Sequence, residues 1–440
     1  MKYQTYDKYK DSGVEWLGLI PQNWRVSRLK DNIKFFHGYS YTNDDLAQDT
    51  DNYLIRISQI QDSRVEISSA LKLVNQTDKY KIHQDDLLIA LSGATSGKVA
   101  LFNLSENCYL NQRVAKILSK KYFYKYLFYF FKLDELVKQM YIYSNITAQP
   151  NFTNSVLEIN NVLLDYDEQV TIACYLDKKT ALIDKKIELL EKKEAKYIEL
   201  KQSLINDAVT KGLDKNVEMK ESGIEWVGKI PKHWEVKRLK DVGYLYSGLS
   251  GKSGKDFKEE NNELNKPYIP FTNIAGNKYI QVDDVKQVVI NRNEQQNVVK
   301  KGDIFFLMSS EGYEDIGRTS LLMDEVGELY LNSFCKGFRI TNKRIENKYL
   351  NCLLLVSQFR SLLMIEGKGF TRINLKMEKI SGFSFLVPPK NEQAAIAKYL
   401  DEESDKIKKI VDIFDKQIST LQEFRKTLIN DVVTGKVKVT

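Results

Sequence analysis

The chain has 440 residues, of which 42% are hydrophobic and 11% aromatic. A chain of this length exceeds one ordinary hydrophobic core, so we expect a folded globular protein of two or three domains. Its net charge of +7, from 66 basic and 59 acidic side chains, is compatible with a polyanionic partner but does not single out that class of protein.

Composition also argues against membrane and metal-dependent proteins. The opening residues MKYQTYDKYKDSG lack the apolar region of a signal peptide, and no apolar run approaches the roughly 20 residues of a membrane helix. We therefore expect a cytoplasmic protein. The four cysteines form no C-x-x-C pair and have no histidine at metal-ligand spacing, which indicates reduced thiols and no metal site. These are Cys108, Cys174, Cys335 and Cys352.

The first element along the chain is a tryptophan block that occurs twice. Residues 10–31 and 220–241 are identical at 14 of 22 positions, at an offset of 210. The two copies, SGVEWLGLIPQNWRV and SGIEWVGKIPKHWEV, contain all four tryptophans of the protein. Large apolar side chains at a fixed spacing favour packing anchors at the base of a domain over platforms for stacking bases.

The segments after each block, roughly 32–165 and 242–388, carry strand signals separated by Gly, Asn and Ser clusters. Predicted strands are Tyr53–Ile57, Asp86–Ala90, Tyr268–Phe271 and Asp303–Leu307. Residues 122–140 and 347–364 are predicted to be helical. Each segment is therefore predicted to form an α+β domain.

Two glycine-rich stretches resemble phosphate-binding loops without matching them. In SGATSGKV, Ser92 stands where the first glycine is required and Val99 follows the lysine in place of Ser or Thr. In GLSGKS, Tyr246 occupies the position of the first glycine. Both stretches are predicted to be turns between strands.

A second repeat follows the variable segments at a different offset. It begins EQVTIACYLD at Glu168 and EQAAIAKYLD at Glu392, and it ends LINDAVT at Leu204 and LINDVVT at Leu428. Both ends keep an offset of 224, so the variable segment is 224 − 210 = 14 residues longer in the second half. No Gly or Pro interrupts either copy, which predicts helices of about 40 residues and about 60 Å. Gly212 and Gly435 are placed to cap them.

Apolar residues recur along both helices at alternating steps of four and three, the spacing of a heptad seam. The helix needs a partner because one apolar stripe cannot stabilise it alone, and the other copy supplies a matching stripe. An antiparallel coiled coil is favoured because the chain returns through a whole domain. Two helices that each pack on their own domain remain the alternative. The seam residues are Ile183, Ile187, Leu190, Tyr197, Leu204, Ile407, Val411, Phe414, Ile418, Leu421 and Leu428.

The sequence contains no recognisable catalytic motif. The Pro-Pro-aromatic tetrapeptide of amino-methyltransferases is missing, and the one Pro-Pro, at Pro388-Pro389, precedes the second long helix. No paired acids with a lysine stand at convincing nuclease spacing. These observations oppose a self-contained methyltransferase or nuclease. They leave a coiled-coil adaptor for two protein partners as the rival of a DNA-binding scaffold.

The tryptophan blocks and the stretch Val387-Pro388-Pro389-Lys390-Asn391-Glu392-Gln393 resemble the specificity subunits of type I restriction–modification enzymes. The first copy, from Leu164 to Gln169, departs from this pattern because it lacks the prolines. The resemblance implies target-recognition domains at 1–166 and 213–388 and spacer helices at 167–212 and 389–440.

The resemblance also implies a non-catalytic subunit without cofactors of its own. Each recognition domain would read one half of a bipartite DNA target, and the coiled coil would set the gap between the halves. Two adenine methyltransferase subunits using S-adenosylmethionine, and restriction subunits using ATP and magnesium, would be the partners. The scaffold repeats while the recognition domains differ, so we expect an asymmetric target.

DNA-facing residues are expected in loops that follow short strands and in the stretch before each spacer helix. Gln and Asn suit adenine, and Arg and Lys suit guanine or phosphate. The candidates are Arg56, Ser58, Gln59, Lys98, Gln149 and Asn151 in the first domain, and Thr272, Asn273, Arg318, Thr371, Arg372 and Asn374 in the second. Lys98 and Arg318 stand out because each follows a glycine in a turn of similar position.

Overall fold

The computed structural model describes residues 4–47, 49–61, 63–144, 152–225, 227–257, 263–367 and 372–439. The chain divides into two compact units. Unit 1 contains Met1–Glu191 and Asp415–Thr440, and unit 2 contains Lys192–Phe414. Each unit therefore combines one variable segment with parts of both long helices, because the chain passes from one unit to the other within each helix.

Eight α-helices lie within the described residues. They are α1 (Tyr124–Phe130), α2 (Asp134–Tyr143), α3 (Tyr166–Lys211), α4 (Phe271–Gly276), α5 (Asn347–Leu354), α6 (Ser357–Glu366), α7 (Met377–Ser381) and α8 (Lys390–Val433). In the described part of the chain no helix is both long enough and apolar enough to cross a membrane.

The described strands of unit 1 form a four-stranded antiparallel sheet, in the order β10-β9-β12-β4, and a three-stranded sheet, β11-β5-β8, in which β5 and β11 are parallel. Short ribbons pair β1 with β2, β3 with β13, and β6 with β7. The strands are β1 (Tyr9–Asp11), β2 (Leu19–Pro21), β3 (Arg25–Arg28), β4 (Ile33–His37), β5 (Asn52–Ile55), β6 (Ile60–Gln61), β7 (Arg64–Val65), β8 (Leu71–Lys72), β9 (Leu87–Ala90), β10 (Val99–Leu101), β11 (Asn107–Leu110), β12 (Val114–Ser119) and β13 (Asn160–Leu163).

Unit 2 repeats both sheets, as β17-β24-β20-β22 and β19-β18-β23, and two of the ribbons, as β14-β15 and β16-β26. Its third ribbon, β21-β25, joins distant segments and is not the counterpart of the β6-β7 hairpin. The strands are β14 (Met219–Glu221), β15 (Lys229–Pro231), β16 (Glu235–Arg238), β17 (Gly243–Ser247), β18 (Asn265–Ile269), β19 (Lys286–Val289), β20 (Ile304–Leu307), β21 (Ser309–Ser310), β22 (Thr319–Leu321), β23 (Tyr330–Leu331), β24 (Cys335–Ile340), β25 (Ile373–Asn374) and β26 (Ser384–Val387). The predicted α+β class is confirmed, and each of the four predicted strands overlaps an observed one. Two of them end earlier than predicted, because β5 ends at Ile55 and β18 at Ile269, and Phe271 begins α4.

The helices predicted over 122–140 and 347–364 are each two helices instead. Leu133 and Val356 adopt extended backbone angles and begin a new helix. The break turns the chain so that apolar side chains on both sides of it, such as Phe130 and Leu136, face the same core. The helical prediction for both stretches is confirmed, but the turn within each was not predicted because periodicity does not reveal it.

The long helices begin at equivalent positions, since 166 + 224 = 390. The first copy therefore starts its helix where the second does, although it lacks the prolines. Within unit 1 the Arg425 guanidinium lies 3.1 Å from the Asp184 carboxylate, and within unit 2 the rings of Tyr197 and Phe414 are 5.7 Å apart. Residue numbers rise along α3 as they fall along α8, so the pair is an antiparallel coiled coil.

The residues predicted to form the seam are shielded from solvent to different extents, and none of them is exposed. Ile183, Leu190, Ile407 and Leu428 are buried, and the other seven predicted seam residues are half-buried. The three polar seam positions, Glu194, Lys201 and Arg425, are half-buried as well.

The tryptophan block of each unit packs where one long helix ends and the other begins. Trp24 and Trp234 are completely buried. Trp24 lies against Gly435 beyond α8, and Trp234 lies against Gly212 beyond α3; both glycines have a φ of +78°, as a left-handed cap requires. These tryptophans are packing anchors. Trp226 lies outside the described residues.

A buried glutamine joins each variable segment to the start of a long helix. Gln169 accepts a hydrogen bond from the Phe123 amide at 2.8 Å and donates to the carbonyls of Lys121 and Leu164. Gln393, 224 positions later, accepts from the Glu346 amide at 2.8 Å and donates to Arg344 and Pro388. The repeat therefore preserves a polar joint as well as a seam.

Candidate nucleic-acid interface

Loops converge at the carboxyl end of one central strand in each unit. In unit 1 they are Arg56–Gln59, Gly93–Lys98 and Asn111–Arg113, here called turn cluster 1. In unit 2 they are Phe271–Gly276, Glu311–Arg318 and Asn332–Phe334, here called turn cluster 2. The backbone of β9 or β20, and of the residue after it, binds two of the three loops in each cluster.

The turns that hold Lys98 and Arg318 are equivalent. The Ala90 amide donates to the Lys98 carbonyl at 2.9 Å, as the Leu307 amide does to Arg318 at 2.9 Å. The preceding residues, Gly97 and Gly317, have φ values of +84° and +71°, which only glycine adopts readily. The predicted correspondence of the two turns is confirmed. Lys98 is exposed, and the half-buried Arg318 lies 3.4 Å from the Asp315 carboxylate.

A second pair of equivalent turns was missed by sequence reasoning. The buried Asn111 accepts a hydrogen bond from the Arg113 amide at 3.3 Å, and Asn332 accepts one from the Phe334 amide at 2.9 Å. The two residues that follow the asparagine are exposed in the first turn, Gln112 and Arg113, whereas in the second turn Phe334 is exposed and Ser333 is half-buried. The available signal was a Leu-Asn dipeptide shared at an offset of 332 − 111 = 221.

The three predicted DNA-facing residues of the loop after β5 differ in their exposure to solvent. Ser58 is exposed, and Arg56 is half-buried with its Nε atom covered. Gln59 is buried: its Oε1 accepts from the Arg56 amide and the Ser58 hydroxyl, and its Nε2 donates to Ser69. The Thr95 hydroxyl donates to the Ile57 carbonyl at 3.2 Å, which joins this loop to that of Lys98. Gln59 stabilises turn cluster 1 from its buried side, because both polar atoms of its side chain are bonded to neighbouring residues of the protein.

In unit 2, the two predicted DNA-facing residues of α4 also differ in exposure: one is exposed and the other is buried. Thr272 is exposed beside Phe271. Asn273 is completely buried, and its amide donates to the carbonyls of Gln281 and Asp284 at 2.8 and 2.7 Å. The side chain of Asn273 therefore holds the following loop in place. As with Gln59, the expectation that the residue faces DNA is replaced by a structural role.

The stretch before α8 reaches turn cluster 2 through Arg372. Its guanidinium lies 4.5 Å from the centre of the Phe334 ring and 3.7 Å from the Glu311 carboxylate. Asn374 is exposed and pairs with Ser309 in the β21–β25 ribbon. Three further predicted residues, Gln149, Asn151 and Thr371, lie outside the described residues.

Arg360 is a second basic side chain beside Arg318, and the carboxylates of Asp315 and Glu314 lie near both. Burial, together with the neighbouring Arg318 guanidinium, lowers the pKa of Arg360 below its ordinary value. The Arg360 guanidinium also donates to the Glu314 carbonyl. Exposed Lys, Arg, Gln and Thr side chains on rigid turns can donate to phosphate oxygens and to the edges of bases.

The comparisons with known proteins agree with this arrangement. The family model described as the type I restriction modification DNA specificity domain matches residues 21–199 and again 231–430. The type I restriction enzyme MjaVIII specificity subunit of Methanocaldococcus jannaschii is 25% identical over 98% of this chain and 97% of its own length. The EcoKI specificity subunit of Escherichia coli K12 is 24% identical over 48% of this chain and 44% of its own length.

Two solved structures share the fold. A chain from a study of complex assembly and conformational transition of the type I R-M system gives a TM-score of 0.71 at 16% identity, covering 94% of this chain and 98% of that one. The HsdS subunit of Thermoanaerobacter tengcongensis gives 0.54 at 16% identity, covering 95% and 98%. Because one family model matches both halves and the fold repeats, this chain belongs to the DNA sequence-specificity subunits of type I restriction–modification systems.

Proposed function

We propose that unit 1 and unit 2 each read one half of an asymmetric, interrupted DNA target, and that the coiled coil sets the gap between the halves. The observation that carries this proposal is that two turns of each cluster share the same backbone hydrogen bonds while their side chains differ. Lys98 corresponds to Arg318, and Gln112-Arg113 correspond to Ser333-Phe334. Two different sets of donors on matching turns favour two different half-sites.

The proposal includes two methyltransferase subunits as partners, and restriction subunits that join them. Its support is a pair of exposed apolar side chains that recurs on the long helices. Leu189 and Phe424 are 51% and 42% exposed in unit 1, and their counterparts at the offset of 224, Ile413 and Leu200, are 53% and 46% exposed in unit 2. Such residues suit the docking of an apolar partner surface twice on one subunit.

In this proposal the chain supplies specificity, and its partners supply the chemistry. S-adenosylmethionine for adenine methylation and ATP with magnesium for restriction would be bound by those partners. DNA is the shared substrate, so the complex would act in the cytoplasm.

Methylation mapping of DNA from cells that express the complex tests the proposal. We expect a motif of two unlike half-sites separated by a fixed gap. The double variant Lys98→Ala and Arg113→Ala should weaken or relax one half-site and leave the other unchanged. It should also reduce the salt dependence of DNA binding by up to about one unit of slope per lost phosphate contact.

Lys120→Ala is the matched control, because Lys120 is an exposed lysine of unit 1 outside turn cluster 1. A palindromic or uninterrupted motif in the wild type would refute the bipartite reading. Loss of both half-sites in the double variant, with the control intact, would contradict the assignment of unit 1 to one of them.

A further inference from the structure

The two long helices carry an aspartate at the same position of their repeat. Asp177 lies in α3 and Asp401 in α8, and 401 − 177 equals the repeat offset of 224. Both follow a Tyr-Leu dipeptide. Neither belongs to the apolar seam, and each carboxylate is bonded to the variable segment of its own unit.

In unit 1, two side chains of α1 hold Asp177. The Lys125 Nζ lies 2.7 Å from Asp177 Oδ2, and the Tyr129 hydroxyl donates to Oδ1 at 2.8 Å. The hydrogen bond to Asp177 raises the pKa of Lys125, so the lysine stays charged. The ammonium of Lys125 and the phenol of Tyr129, one helical turn apart, therefore bind one carboxylate oxygen each.

In unit 2, the same two chemical groups reach Asp401 from a different part of the chain. The Lys278 Nζ lies 2.6 Å from Asp401 Oδ1, and the Tyr279 hydroxyl lies 2.8 and 2.9 Å from the two oxygens. These residues belong to the loop after α4. Asn351 on α5 fixes that loop by donating to the Lys278 carbonyl at 2.9 Å.

The helix of unit 2 that corresponds to α1 does not supply the bonds. At its offset of 347 − 124 = 223, Lys348 takes the place of Lys125 and Cys352 the place of Tyr129. Lys348 lies instead over the Tyr279 ring at 5.9 Å, and Cys352 is buried. The two variable segments thus differ in sequence at this site but present the same pair of groups to the same helix position.

These contacts are better suited to fixing direction than to adding stability. The lysine and aspartate side chains are between 28 and 36% exposed, where an ion pair contributes little to the free energy of folding. Charge-assisted bonds to both oxygens of one carboxylate, however, restrict the angle at which the attached domain meets the helix. A wrong angle would point a turn cluster away from its half-site.

We infer that Asp177 and Asp401 are positioning residues that clasp each recognition domain to the coiled coil at a fixed orientation, and thereby make recognition selective for one gap length. This inference rests on the proposed bipartite function. It assigns gap selectivity to two carboxylates as well as to the length of the helices.

The test uses the complete complex with its methyltransferase subunits and duplexes that carry both mapped half-sites. The gap is the native one, or is one base pair shorter or longer. In Asp401→Asn and Asp177→Asn, the preference in methylation rate for the native gap should fall about fivefold, the upper factor expected for one lost ion pair that is partly exposed. The half-site sequences should be unchanged. Asp401→Glu, which keeps the carboxylate, should retain most of the preference.

Asp412→Asn, at an exposed position of α8, is the matched control and should behave as wild type. A wild-type preference in both Asn variants would overturn the inference, as would a uniform loss of rate on all three gaps. If an Asn variant does not fold, Tyr129→Phe and Tyr279→Phe remove single hydroxyls and should lower the preference about threefold; no change would again overturn the inference. A wild type without a bipartite motif would refute the proposed function instead.

Discussion

At the scale of single residues, the two buried glutamines show how polar groups define the joints of this fold. Gln169 and Gln393 each satisfy one backbone amide and two carbonyls at the point where a long helix begins. Burying an amide is unfavourable unless all of its bonds are made. A side chain that meets every requirement fixes the path of three chain segments at once.

Gln393→Ala should therefore lower the free energy of unfolding by about 2–4 kcal/mol, because the Glu346 amide and two carbonyls would lose their partner in a buried site. Urea unfolding followed by circular dichroism measures this change. Gln417→Ala, at an exposed position of the same helix, should change stability by less than about 0.5 kcal/mol. Equal effects of the two variants would show that the buried bonds are not what stabilises the joint.

At the scale of elements, one ion pair between the long helices occurs in unit 1 and is not repeated in unit 2. The ion pair of Asp184 and Arg425 in unit 1 corresponds, at the offset of 224, to Lys408 and Lys201 in unit 2. Burial, followed by the charges of Lys278 and Lys408, lowers the pKa of Lys201. In unit 1 opposite charges attract the two long helices to each other, whereas in unit 2 the corresponding positions carry two lysines, Lys201 and Lys408.

Lys408→Asp should restore the missing ion pair and raise the stability of unit 2 by about 0.3–1 kcal/mol at low salt. A lysine with a lowered folded-state pKa destabilises the fold while it is charged, and this cost fades as the pH rises from the lowered value towards 10.5. The gain should therefore be present at pH 7 and shrink at alkaline pH. Thermal melts at several pH values and salt concentrations measure it.

Lys409→Asp is the matched control, since this neighbouring lysine is exposed on α8. A similar gain in the control would show that net charge, and not the pairing with Lys201, accounts for the effect.

At the scale of the whole molecule, the segments that are similar in the two halves are not the segments that form the turn clusters. The tryptophan blocks, the glutamine joints and the length and seam of the long helices recur in both halves, while the turn clusters differ in their side chains. A scaffold that repeats presents two copies of any surface on its helices, so a partner that binds one copy should bind both.

The double variant Leu189→Glu and Phe424→Glu should therefore reduce the number of methyltransferase subunits per specificity subunit from two to one, as measured by native mass spectrometry. Charges at these exposed positions would have to be desolvated on docking. Leu200→Glu with Ile413→Glu should give the same result. Ile365→Glu, at an exposed position outside the long helices, should leave two subunits bound. Two bound subunits in all variants would exclude these residues from the docking surface.

The sequence by itself determined the repeats, the α+β class, the seam of the long helices and the matching turns of Lys98 and Arg318. These features depend on periodicity, on glycine at positive φ, and on offsets between copies, all of which are local properties of the chain. It also indicated the family, because the blocks are long and specific.

Only the tertiary structure decided which candidate residues are free to meet DNA. Gln59 and Asn273 read as exposed loop residues in the sequence, yet both are buried, and partners 8 to 11 residues further along the chain accept hydrogen bonds from their amides. The clasp at Asp401 is likewise invisible in the sequence, because Lys278 and Tyr279 lie more than 120 residues away and replace the helix that serves Asp177. Burial and side-chain partners arise from long-range packing, which no local pattern encodes.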